Sequence, residues 1–192
     1  MTRTSHLASG AILSAAAIIH YQLHSSLNIP FSWLVVFVIA IMAGATAPDW
    51  MEIPRFSKTF NRRVSMIPHR TITHWLLPWA FLFGYTFYKW TDPNNAITGY
   101  DPMLFVTLGF SMGALLHCIL DWMTPEGIPV VAPFIFKNGS MYLVRKGFGE
   151  FVSMIILALI TIMPATNGFF VEADSTLTHL THKPVQTKTP QN

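Results

Sequence analysis

The chain has 192 residues, of which 52% are hydrophobic and only 11% charged, well under the roughly 25% charge of an ordinary soluble domain. A formal net charge of +3 gives no basis for nucleic acid as a partner. The single cysteine, Cys118, excludes a disulfide framework and a Cys-rich zinc ribbon, so any metal must be held by His, Asp and Glu.

A bilayer core about 30 Å thick takes roughly 17–25 mostly apolar residues in helix, and five stretches approach that length. The first is residues 7–23, rich in Ala and Ile, with His6 at its start. A secretory signal is the competing reading of this stretch. It is set aside because no small-residue cleavage site precedes a polar domain and apolar segments simply continue. The second, residues 32–47, runs into "APDWMEIP", which carries Asp49 and Glu52. A loop with Arg55, Lys58, Arg62, Arg63 and Arg70 follows, ending in "PHRTITHW". The third stretch, residues 75–90, is edged by Trp75 and Trp90, as expected of side chains at the membrane interface. His69 and His74 are five apart, about 140° on a regular helix. His69 is therefore expected in the loop and His74 on the helix, with Thr71 as its N-cap.

The fourth stretch, residues 103–120, ends in "LLHCILDWMTPEG". His117 and Asp121 are four apart there and share a helix face. A second basic loop, with Lys137, Arg145 and Lys146, leads to Glu150 and the fifth stretch, residues 151–171. The polar, Thr-rich residues 174–192 have too little apolar content to pack and are expected to be disordered. This divides the chain into a membrane-embedded domain, residues 1–173, and a tail.

Both basic loops fall on one side, whereas residues 24–31 and 91–102 contain no Lys or Arg. The positive-inside rule places the basic loops, the N-terminus and the site in the cytoplasm. On this map His6, Asp49, Glu52, His69, His74, His117, Asp121 and Glu150 all reach the same membrane face. Taken singly each has a plain reading: a helix-end hydrogen bond for His117–Asp121, headgroup contact for His69 and His74, an acidic first turn for Glu150. None of those readings requires a shared face. Ionisable groups near hydrocarbon are costly and usually pair or bind something. Imidazoles and carboxylates converging from several helices can hold a divalent cation, as in bundle cores. Their types suit zinc, with manganese or iron as alternatives.

The order of "SHLASG", "APDW", "HRTITHW" and "LLHCILDWMTPEGIPVVAPF" resembles the YdjM-like family, described as LexA-regulated, inner-membrane, metal-dependent hydrolases. The resemblance covers roughly residues 5–155 and implies His6, Asp49, His69, His74, His117 and Asp121 as metal ligands, with Glu150 a looser match. Where the family shows Asp-x-Asp-His, Asp49 is followed by Trp50, Met51 and Glu52, which implies an altered site. Thr71 stands where the family has Gly, and Trp75 where it has Ser.

The expectation is an all-α polytopic bundle with a metal centre at its cytoplasmic rim, acting as a hydrolase. Glu52 or Glu150 is the candidate general base and Arg70 the candidate anion contact. Membrane lipids are the expected surroundings, and a hydrophobic ester or phosphoester the expected substrate; nothing in the residues specifies an oligomer. The rival class is a non-catalytic membrane protein using the same residues for structural metal binding, transport or partner docking.

Overall fold

The computed structural model describes residues 1–24, 29–52, 54–57, 62–65, 70–92, 101–130, 132, 140, 141, 143, 144 and 147–167. The tail expected over 174–192 and His69 lie outside them. In chain order come α1 (Arg3–His24), α2 (Phe31–Gly44), the single turn α3 (Ala47–Trp50), β1 (Pro54–Ser57), β2 (Arg62–Ser65), α4 (Leu76–Thr91), α5 (Pro102–Trp122) and α6 (Phe148–Asn167). The described residues are therefore helical apart from one antiparallel hairpin, with Pro54 opposite Ser65. The hairpin lies in the basic loop between the second and third apolar stretches.

Helix boundaries follow local chemistry. Asp101 caps α5 by accepting a hydrogen bond from the Met103 amide at 2.9 Å, with Pro102 in the first turn, where its missing N–H costs nothing. Pro48 likewise opens α3. Gly147, with φ of +81°, takes the left-handed conformation just ahead of α6 that a side chain would resist.

Of the long helices, Pro102–Trp122 and Phe148–Thr166 are long and apolar enough to cross a bilayer. The α2 helix is apolar but has only 14 residues, about 21 Å at 1.5 Å per residue. The side chains are sorted as in a protein whose solvent is lipid. His6, Ser9, Ser14, Thr86, Ser111 and Ser153 are buried, while Phe31, Phe81, Phe151 and Ile160 face outward.

The α5 helix is central, packing on α2 and α4, while α1 packs on α6 and α2. Small residues let the backbones approach. A Cβ on Gly44 would run into the Phe110 carbonyl, and one on Gly113 into the Ile41 carbonyl. The close α2–α5 crossing ends beside Ala45, whose carbonyl belongs to the site.

Candidate metal centre

Four segments deliver side chains to one end of the bundle. His117 and Asp121 come from the last turns of α5, His6 from the first turns of α1, Asp49 from α3, and His74 from the turn before α4. That turn differs from expectation. The α4 helix starts only at Leu76, with Trp75 at the N-cap position and no side-chain cap, and Thr71 is buried instead. The physical reason is tertiary: the Trp79 indole donates to the Thr73 carbonyl at 2.8 Å, and the Leu76 amide donates to the Pro129 carbonyl at 3.3 Å. These bonds hold residues 71–75 as a turn and aim His74 inward.

The two central imidazoles have defined tautomers. Nδ1 of His117 lies 2.8 Å from the Ala45 carbonyl, which can only accept, so Nδ1 carries hydrogen. Nδ1 of His74 lies 3.1 Å from Thr73 Oγ1 and 3.2 Å from Glu52 Oε1; the Thr73 hydroxyl donates to Glu52, which leaves both oxygens as acceptors for the Nδ1 hydrogen. Each neutral ring therefore presents a bare Nε2 lone pair, and the two Nε2 atoms are 3.2 Å apart. Two lone pairs at that separation repel unless a proton or a cation lies between them. Asp49 Oδ1 is 3.4 Å from Nε2 of His74 and 3.7 Å from Nε2 of His117. Asp121 Oδ2 is 3.5 and 3.7 Å from the same two atoms. A tetrahedral ion with bonds of about 2.0–2.1 Å has ligand–ligand edges of about 3.3–3.4 Å. The five separations run from 3.2 to 3.7 Å, close to that measure, and Asp49, His74 and His117 form one group that could hold a metal ion.

The remaining candidates surround these four. The imidazole of His6 stacks on His117 and its Nε2 reaches Asp121 Oδ1 at 3.3 Å. Arg70 Nη2 meets the same oxygen at 3.0 Å, and the Met1 α-amine also contacts it. Asp121 is thus divided: Oδ1 faces His6, Arg70 and the α-amine, and Oδ2 faces the imidazoles of His74 and His117. His6, His117 and Asp121 form a second, overlapping donor group. Arg70 also pairs through Nη1 with Glu126 at 3.1 Å and donates to Thr124 Oγ1 at 3.1 Å. Its φ of +59° is uncommon for a residue with a side chain, and its amide donates to Glu52 Oε1 at 3.0 Å. Arg70 and Glu52 are therefore engaged in holding Asp121 and His74. Glu150 sits elsewhere, accepting from the Thr2 amide, the Thr2 hydroxyl and the Ser5 hydroxyl, so it fastens the start of α1 to α6.

Burial works against ionisation of Asp49, but the hydrogen bond to His74 and the nearby His117 and His6 outweigh it and leave its pKa below the ordinary carboxyl value. Burial likewise opposes protonation of His74, and hydrogen bonds to Asp49 and Glu52 with the Asp121 charge overcome it, raising its pKa above the ordinary imidazole value.

The model of the YdjM inner membrane protein family matches residues 1–183. The chain belongs to the YdjM family. No curated protein and no solved structure gives a significant match. Family membership with two bilayer-length apolar helices makes this a membrane protein. Sequence reasoning missed the Ala45 carbonyl, because a backbone acceptor leaves no mark on residue type, and the clamp on Asp121, because Arg70 and Asp121 are remote in the chain.

Proposed function

We propose that this YdjM family member is a membrane-bound, metal-dependent hydrolase whose ion is held by His74, His117 and Asp121, with Asp49 on its outer side. The observation that carries the reading is the pair of bare Nε2 atoms 3.2 Å apart, each ring fixed by a hydrogen bond from its other nitrogen. A carboxylate or carbonyl behind a histidine is the usual support of a metal ligand. When bound, a zinc-type ion lowers the pKa of a coordinated water and polarises a carbonyl or phosphoryl oxygen. Zinc fits the tetrahedral spacing best, and manganese or iron accept the same donor types.

The chain's own residues supply orientation. Glu52 keeps His74 in the tautomer that offers Nε2, and Ala45 does so for His117. Arg70 and His6 fix Asp121 by one oxygen and leave the other free to coordinate. Asp49, at 32% exposure against 9% for Glu52 and 2% for Asp121, has more access to incoming water than either and is the general base in this reading, in place of Glu52 or Glu150.

A structural site is the second reading, favoured by the number of donors in the two overlapping groups, since closed four-ligand sites are structural and catalytic ones keep a position open. Asp49→Asn separates the two. A hydrolase site with three inner ligands retains its metal in that variant and loses turnover on an ester and phosphoester panel. A closed structural site loses the metal itself. Elemental analysis of detergent-purified wild type, Asp49→Asn and His117→Ala, without chelators, reads both outcomes.

Five membrane-crossing helices with the site in the cytoplasm complete the proposal, supported by the Lys and Arg of the two loops on the site's side and the positive-inside rule. Reactivity of single cysteines placed at Ser57 and Asn95 toward an impermeant thiol reagent in intact cells tests it: the second is labelled and the first protected.

A further inference from the structure

Asp49 differs from the other donors in its exposure. The side chains of His74 and His117 are 0% exposed and that of Asp121 2%, whereas Asp49 is 32% exposed. Access to the centre therefore runs past Asp49. The residues flanking it in the chain and in the His74 turn are apolar and turned outward: Trp50 at 59%, Met51, and Ile72 at 49%. The turn is the sharper case. Thr71, Thr73 and His74 are buried, and the Ile between the threonines is exposed. A turn facing water would have the opposite sorting. Tryptophan beside a charged well is the chemistry of the membrane interface.

Depth points the same way. Asp121 is the penultimate residue of Pro102–Trp122, one of the two helices long enough to span. His117 lies one turn earlier, about 6 Å along the axis. A centre built on the last turn of a spanning helix sits where headgroup phosphates and ester carbonyls sit. A polar centre with exposed apolar neighbours at that depth matches a molecule divided in the same way.

We infer that the site opens sideways into the bilayer between Trp50, Met51 and Ile72, and that its ligand is a membrane lipid with its phosphate at the ion and its acyl chains left in the leaflet. This names the substrate class of the site proposed above and rests on that site holding a metal. A water-soluble phosphoester would gain nothing from the rim.

The test reads binding rather than turnover. Protein in nanodiscs of phosphatidylethanolamine and phosphatidylglycerol is loaded with Mn2+, its metal content checked, and the 31P line width of the lipid measured. The wild type is expected to broaden the lipid signal beyond His117→Ala, which holds no ion. The double variant Trp50→Asp, Ile72→Asp is expected to keep its metal and lose the excess broadening. Inorganic phosphate and glycerol phosphate, at matched phosphorus concentration, are expected to show little effect. Equal or greater broadening of the soluble phosphates overturns the inference, as does full lipid broadening in a metal-loaded rim variant. A wild type without metal overturns it together with the site. Lipid broadening in a protein inert on every ester tested supports the lipid assignment and removes only the hydrolase.

Discussion

The imidazole of His6 lies against that of His117 with ring centroids 3.6 Å apart and planes 16° from parallel. Through this stack α1 touches the centre, and through Nε2 it holds Asp121 Oδ1. His6 is thus placed to steady two donors, and with His117 and Asp121 it also forms a second group that could hold an ion. His6→Phe retains a ring and removes the hydrogen bond. The expected result is a loss of about 10–100-fold in metal affinity, as for other supporting partners, measured by competition with a chromophoric chelator. His117→Ala is expected to lose the metal outright. Equal loss in the two variants would make His6 a ligand in its own right.

Arg70 is expected to act on stability before it acts on substrate. Its guanidinium pairs with Asp121, whose side chain is 2% exposed, and removing one partner of a buried pair is destabilising, here by less than for an isolated pair because His6 and the α-amine remain on the same oxygen. Arg70→Met should lower the thermal midpoint of the metal-free protein in detergent. Added zinc should restore part of the loss, because the ion then faces the same carboxylate. An anion-contact role alone would leave the midpoint unchanged and impair only substrate binding.

The parts of this arrangement that were legible from sequence are those written in short spacing or in residue type. The i,i+4 pair His117–Asp121 needs only a helix to face one way, and apolar runs mark helices whatever packs on them. His74 was legible as a donor but not in its setting, since the turn that aims it depends on Trp79 and Pro129. Glu52 and Glu150 are alike in sequence, each an acid at the membrane edge. Only tertiary contacts separate them, one behind His74 and the other clamping Thr2 and Ser5. The β1–β2 hairpin has no run of alternating apolar residues to announce it.

Metal uptake should be coupled to proton release at His74. Its raised pKa stabilises the metal-free fold, fully below the ordinary imidazole value of about 6.5, and that stabilisation fades as pH rises through the higher folded value. Asp49, with a lowered pKa, contributes above the ordinary carboxyl value and loses this only as pH falls through the lower folded one. It stays ionised throughout the His74 range. An ion needs the Nε2 lone pair that the proton occupies. Apparent affinity should therefore climb from about pH 6 upward and level off once His74 is neutral, with up to about one proton released per ion at the lower end. Calorimetry in buffers of different ionisation enthalpy measures the count. No proton release at pH 6 would mean that the proton is not where the ion binds.

The closest helix crossing should govern the centre from a distance. Gly113 meets the Ile41 carbonyl and the Ala45 amide so closely that a methyl group has no room, and Gly44 meets Phe110 in the same way. The obstructing atoms are backbone, which cannot rotate aside, so Gly113→Ala must push α2 from α5. Ala45 moves with α2, and its carbonyl is what fixes the His117 tautomer at 2.8 Å. The expected outcome for Gly113→Ala is a protein that still inserts but binds metal weakly, with a lowered thermal midpoint. Gly84, where a methyl group meets nothing within 4 Å, provides the control. Gly84→Ala should match the wild type in metal content and gain slightly in stability, since alanine is favoured over glycine in a helix by about 1 kcal/mol. Normal metal binding in Gly113→Ala would show that the His117 ring does not depend on the α2–α5 contact.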